Sequence, residues 1–122
     1  MRAALVGAAA LTALLAGGLA QAAGDAATGK RLYEERCTAC HSVDANRIGP
    51  MHRGVVGRTA GSVPGFGYSA AVKGSGIVWD ERSLDAWLAD PQKLVPGQAM
   101  FFSVPVAKDR ADIIAFLATL KR

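Results

Sequence analysis

Cys37-Thr38-Ala39-Cys40-His41 is the stretch on which the reading of this chain turns. Placed on a helix, Cys37, Cys40 and His41 stand at i, i+3 and i+4, so two sulfurs and an imidazole leave one face within a single turn. That geometry suits a flat macrocycle whose two vinyl groups are captured as thioethers while the imidazole meets its iron, and C-x-x-C-H is read as c-type haem attachment. Three other uses of the same residues compete. A structural disulfide can form in an exported protein. A thioredoxin-like dithiol needs a βαβ context, and no segment here alternates over a strand's length. A zinc site needs a second ligand pair at the usual spacing, which this sequence lacks.

Upstream of the motif, Gly29, Leu32, Tyr33, Arg36 and Cys37 recur at three- and four-residue spacing, which predicts a helix running into the motif. Downstream, residues 49–76 hold eight of the 14 glycines, with Pro50 and Pro64, and show no helical or alternating period. Such density marks turns and irregular loop, and a loop of that length in a small domain implies a functional role. A porphyrin is a large, mostly apolar body whose burial supplies contact area that glycines cannot, so the loop is expected to wrap it. Beyond the loop, Asp80 to Asp90 predicts a helix with Leu84, Trp87 and Leu88 on one stripe, ended by Pro91. Asp109 to Arg122 predicts another, with Ile113, Phe116, Leu117 and Leu120 buried and Lys121-Arg122 at the negative end of its dipole. With a short helix near Ser69 to Lys73, the fold class is all-α: three main helices and long glycine-rich loops around one covalent haem.

The whole chain is 122 residues, 51% hydrophobic and 20% charged, which bounds it to one small domain. Two cysteines exclude a disulfide-rich scaffold. Fourteen Lys/Arg against ten Asp/Glu give a net charge of +4 without a clustered basic stripe, so nucleic acid is not an expected partner. From Ala3 to Gly24 no side chain is charged; the run follows Met1-Arg2, is broken by Gly17-Gly18 and closes on Ala20-Gln21-Ala22. These are the parts of a secretory signal peptide, with cleavage expected after Ala22, residues 1–22 removed and residues 23–122 forming the exported, periplasmic domain. A retained membrane anchor is the competing reading, since more than about 18 uncharged residues can span a bilayer. The glycines and the small-residue site favour cleavage.

Candidates for a ligand opposite His41 are Met51, His52 and Met100. Met51 and His52 lie ten and eleven residues past His41, within reach at about 3.3 Å per residue. Met100 lies beyond the wrapper, after a Pro96-Gly97 turn, and can approach the far face without doubling back. Spacing favours Met100 and leaves the other two open; otherwise Met51 reads as a packing residue and His52 as a surface residue.

Over nearly all of residues 23–122 the chain resembles class I cytochrome c, of the bacterial cytochrome c2 and mitochondrial type. The matching pieces are Gly24-Asp25 with Gly29-Lys30, the haem motif, Gly49-Pro50, Gly57-Arg58, Pro64-Gly65-Phe66 with Tyr68-Ser69, Trp79, Leu88, Pro91, Pro96-Gly97 with Met100, Phe102, and Arg110 to Leu117. The resemblance implies haem c held through Cys37 and Cys40, with His41 and Met100 as axial ligands. It implies that the Pro50 carbonyl accepts from the second ring nitrogen of His41, and that Arg58, Tyr68 and Trp79 meet the haem propionates. Gly29 and Phe116 match the place where the first and last helices cross, an aromatic ring entering where a side chain is missing. Several positions depart from the pattern. Gln98 stands for a usual Thr, Ala99 for a Lys, Trp87 for a Tyr whose hydroxyl reaches the methionine sulfur, and Val72 for an Asn; Ser42 to Gly49 is shorter than in the mitochondrial proteins.

An iron held by imidazole and thioether has no open position, and thioether ligation in an apolar pocket raises its potential. The resemblance thus implies an electron carrier and not an enzyme, a monomer serving a quinol-oxidising complex, a terminal oxidase or reaction centre, or a periplasmic dehydrogenase. Lys73, Lys93 and Arg31, Arg36, Arg47, Arg53 and Arg58 are the cations available to steer docking onto acidic partners, thinned by Gln92 and Ala99. Two readings of other classes compete: a haem peroxidase or gas sensor in which Met100 leaves the iron, and a haem-free thiol protein.

Overall fold

The computed structural model describes residues 1, 3–5, 7–10 and 24–122; the cleavage site expected after Ala22, with residues 11–23 around it, lies outside them. The first helix, α1, runs over Ala26–Arg36. Asp25 starts it by accepting from the backbone N–H groups of Ala27 and Thr28 at 2.9 and 3.2 Å, satisfying two of the donors a helix leaves free. The helix ends before the cysteines and not within the motif. Cys37 caps it, and the 2.9 Å bond from His41 N–H to the Cys37 carbonyl keeps one further α-like turn, so the motif retains its compact spacing.

The wrapper contains the expected short helix, α2 (Ala70–Lys73), capped by Ser69. An isolated antiparallel bridge joins Thr59 to Val78, flanked by Gly57 N–H to Trp79 O and Trp79 N–H to Arg58 O at 2.6 and 2.9 Å. Gly61 lets the loop close on α2: its φ is +80°, and a Cβ there would stand 2.7 Å from the Lys73 Cα. No other residue type meets both conditions.

Next come α3 (Glu81–Ala89) and α4 (Pro91–Leu94). Asp80 and Ser83 form a reciprocal capping box at the start of α3. Pro91 does more than end α3: Asp90 turns the chain and accepts from Lys93 N–H, and Pro91 opens α4 at the position where its missing N–H costs nothing. The last helix, α5, spans Ala107–Thr119, two residues earlier than the acidic signal at Asp109 suggests and short of Lys121 and Arg122. No side chain caps its start. Arg110 braces that start instead, donating to the carbonyls of Val104 and Pro105 at 2.9 and 3.0 Å and to Asp85 of α3 at 2.7 Å. At its other end the Leu120 carbonyl accepts from Gly54 N–H at 2.6 Å, so the wrapper caps α5.

Helix α5 packs on α1 and α3, and α3 packs on α4. One continuous core joins Leu32 and Tyr33 of α1, Val72 of α2, Leu84 and Leu88 of α3, and Ile113, Ile114 and Leu117 of α5 with Val55, Trp79, Val95 and Val104 from the loops. Among the described residues there is no strand beyond the one bridge, and no helix is long and apolar enough to cross a membrane.

Candidate haem site

A cavity of about 460 Å³ lies between the helices and the wrapper, within the range of about 300–1,000 Å³ usual for cofactor sites. Its floor is apolar, with Val55, Val72, Leu84, Leu88, Ile113 and Leu117 among the lining residues. Into this one space the fold brings Cys37, Cys40 and His41 from the end of α1, Pro50, Arg58, Tyr68 and Trp79 from the wrapper, and Met100 from the loop after α4. All eight residues singled out from the sequence therefore line it. Met51 does not.

The His41 ring is held by local geometry. Its Nδ1 donates to the Pro50 carbonyl at 2.9 Å, which leaves Nε2 as the nitrogen with a free lone pair. Gly49 abuts the same ring so closely that a Cβ would overlap it. Burial, the largest influence, lowers the His41 pKa, opposed by the Pro50 bond, and so favours the neutral imidazole that a metal ligand must be.

Both cysteines are unbridged. Burial pushes the Cys37 thiol up to about 11, whereas a redox dithiol depends on a thiol with a depressed pKa. Among the described residues no cluster of three or more His, Cys, Asp or Glu is placed to hold a metal ion. The donor set instead fits a macrocycle carrying its own iron and needing one nitrogen, one thioether sulfur and two thiols to hold it.

Arg58 fits the same group in a different way. It is 7% exposed, and its guanidinium donates to the carbonyls of Met51 at 2.8 Å and Arg53 at 3.4 Å, with no carboxylate among these partners. Burial lowers its pKa. A cavity-lining cation bonded only to neutral acceptors is an electrostatic site for an anionic group. Beside it, Tyr68 accepts from Val63 N–H at 3.1 Å.

Four departures from the resembled pattern have distinct outcomes. Trp87 and Val72 line the cavity, the Trp87 ring resting on Trp79 with centroids 5.3 Å apart. Ala99 lines it too. Gln98 does not: at 3% exposure it folds back on its own loop, its Oε1 accepting from Met100 N–H and its Nε2 donating to Gln92. From this position the Gln98 side chain thus braces the Met100 backbone.

Two expectations need correction. His52 is not a surface residue; it is partly buried, lines the cavity, stacks on His41 and is joined to Tyr33 by a 2.9 Å hydrogen bond. Burial, above all, drives its pKa well down. Phe116 does not enter the space left by Gly29; the α5 backbone at Asp112 does, and Phe116 packs on Tyr33 at 5.1 Å. Sequence reasoning also passed over Ile48 and Phe101, which line the cavity while 75% and 88% exposed and so form its rim. Their only signal was an apolar side chain next to a motif residue.

The sequence model of the family described as cytochrome c matches residues 26–121. The chain is 50% identical over 101 residues to a cytochrome c of Euglena viridis, covering 80% of this chain and 99% of that one. It is 47% identical over 104 residues to a cytochrome c2 of Rhodomicrobium vannielii, covering 82% of each. Among solved structures, cytochrome cH from Methylobacterium extorquens superposes with a TM-score of 0.75 at 46% identity, over 79% of this chain and 99% of that one. With its helices, its C-x-x-C-H turn and its cavity, the chain belongs to the cytochrome c family, whose members bind haem c and carry electrons between redox partners and are not enzymes.

Proposed function

We propose that the chain is an exported, periplasmic carrier of one electron at a time, monomeric and released from its signal segment by cleavage after Ala22. Haem c would be held covalently through Cys37 and Cys40, with His41 and Met100 supplying the ligands to its iron. One observation carries this reading: Cys37, Cys40, His41 and Met100, from separate parts of the chain, line a single apolar cavity. When bound, the haem supplies a ferric/ferrous couple. The protein's own residues do the rest. Pro50 holds the His41 tautomer and ring, the Gln98 brace holds the Met100 backbone, and Arg58, Tyr68 and Trp79 receive the propionate edge. The apolar floor excludes water and disfavours the more positive oxidation state, which points to a high potential. Ligands that stay in place in both oxidation states keep reorganisation small.

The rim formed by Ile48 and Phe101 suits contact with membrane redox complexes, a quinol-oxidising complex and a terminal oxidase or reaction centre, or with a periplasmic dehydrogenase. The deciding measurements are pyridine haemochrome chemistry and the optical spectrum of the purified protein. Covalent haem with a ferric sulfur-to-iron band at neutral pH is the expected result. A colourless protein overturns the haem reading, and a high-spin ferric spectrum overturns Met100 ligation in favour of a peroxidase or gas sensor. N-terminal sequencing of the exported protein tests cleavage after Ala22.

A further inference from the structure

We propose that His52, clamped by Tyr33, is a positioning residue for His41 that sets the plane in which this imidazole meets its metal. The proposal rests on the haem reading with His41 as ligand, and it goes beyond that reading by assigning work to two polar side chains, one buried and one partly buried, that ligation does not use.

The bond from His41 Nδ1 to the Pro50 carbonyl holds one atom of the ring, and hydrogen-bond directions at a carbonyl are broad, so the ring could still rock about that contact. A flat restraint against its face removes this freedom. The His52 ring supplies one, with centroids 4.0 Å apart and planes 18° from parallel. The backbone under His52 cannot slide. His52 N–H donates to the Ser42 carbonyl at 3.1 Å and Arg53 N–H to the Val43 carbonyl at 2.9 Å, so the strand of loop after Pro50 is tied to the one after His41.

The side chain is fixed from the other direction by Tyr33 of α1, whose hydroxyl oxygen lies 2.9 Å from His52 Nδ1. Tyr33 is itself 2% exposed and wedged against Phe116 of α5. A continuous line of contacts therefore runs from the α1/α5 crossing through Tyr33 and His52 to His41. Packing alone does not account for the pair. Two apolar side chains of similar volume would fill the space without burying a phenol and an imidazole, whose desolvation is only offset while their mutual bond is kept. What the polar pair adds is orientation: a hydrogen bond fixes the rotation of the His52 ring, and the stack transmits that rotation to His41.

The test uses the purified holoprotein and two readouts, the pattern of hyperfine-shifted haem methyl resonances in the ferric proton NMR spectrum, which reports the axial imidazole plane, and the thermal midpoint. Four variants separate bond from stack: His52→Leu removes both, His52→Gln keeps a polar partner for Tyr33 without a flat ring, and His52→Phe and Tyr33→Phe keep the ring without the bond. Rearranged methyl shifts in His52→Leu and His52→Gln, with smaller displacements in His52→Phe and Tyr33→Phe, are expected. Lowered thermal midpoints with a wild-type methyl pattern in His52→Leu and His52→Gln show a purely structural pair and overturn the proposal. If His52→Leu does not take up haem, His52→Gln against His52→Phe decides alone, and identical wild-type patterns overturn it. A wild-type protein without covalent haem sinks the underlying haem reading, an outcome separate from all of these.

Discussion

Gly29 of α1 lies directly against the carbonyl of Asp112 in α5, with no room for a single added carbon. The same Asp112 is 2% exposed and accepts from the backbone N–H of Asp25, the residue that caps α1, at 2.8 Å. One residue of α5 thus both meets the close crossing and holds the start of the helix that carries the haem motif. The crossing is built from backbone proximity, and Phe116 seals it from the side through Tyr33.

Gly29→Ala forces the two helices apart. Overpacking of this kind costs about 1–3 kcal/mol, and a domain of this size loses about 4–8 °C in Tm per kcal/mol. Thermal unfolding of the holoprotein should show that loss, and an unchanged Tm would mean that α5 yields without penalty.

Asp112→Asn should produce a pH-dependent loss of stability. The Lys108 side-chain bond, first, and the Asp25 backbone bond hold the Asp112 carboxyl below its ordinary value of 3.8. A depressed folded value means that the carboxylate contributes stability above the unfolded value and loses it as pH falls through the folded one. Denaturant melts of wild type and variant should therefore differ at pH 7 and draw together only as pH falls below about 4. Parallel curves across that window would contradict the pairing.

Met100→Ala is expected to abolish the ferric sulfur-to-iron band completely, whereas Met51→Ala leaves it intact, because only Met100 lines the cavity. Optical spectra of the two oxidised variants check this directly. A band lost in Met51→Ala reverses the assignment.

Arg58→Leu removes a buried cation that lines the cavity and leaves the Met51 carbonyl without its donor. The lost partner costs about 1–3 kcal/mol of stability. Because a nearby positive charge disfavours the ferric state, the reduction potential should fall, by tens of millivolts if a unit charge at about 10 Å acts through an effective dielectric of about 20. Potentiometry giving a higher potential than wild type would exclude an electrostatic role.

Docking should weaken with salt, but shallowly. Arg31, Arg36 and Arg53 are engaged by Glu35, Asp109 and Asp44, Arg47 is turned onto the carbonyls of Thr38, Ala39 and His41, and Arg58 is buried. Few of the cations counted in the sequence are free to steer a partner. Stopped-flow rates with an acidic redox partner should decline less than tenfold between low and physiological ionic strength, given a Debye length of about 8 Å at the latter. A rate independent of salt would remove electrostatic steering altogether.

The helices were legible because each main one carries its own signals: the stripe at Gly29, Leu32 and Tyr33, the stripe at Leu84 and Leu88 after Asp80, and the apolar face at Ile113 and Leu117. Helix ends were less so. Nothing local distinguishes Ala107 from Asp109 as the start of α5, since the brace that decides it comes from Arg110 bonding to Val104 and Pro105. Short α4 was hidden because Pro91 reads equally as a stop and as a first helical residue.

By itself the sequence determined the class of the fold and the family motif, because C-x-x-C-H spacing, the glycine-rich stretch and helical periodicity are properties of neighbours along the chain. Only the tertiary structure decided that Gln98 turns away from the cavity to brace Met100, that Gly29 meets backbone and not a ring, and that His52 lies against His41 with Tyr33 behind it. Those outcomes depend on which side chain is buried beside which, and burial is set by contacts between residues far apart in sequence, where no local pattern carries the information.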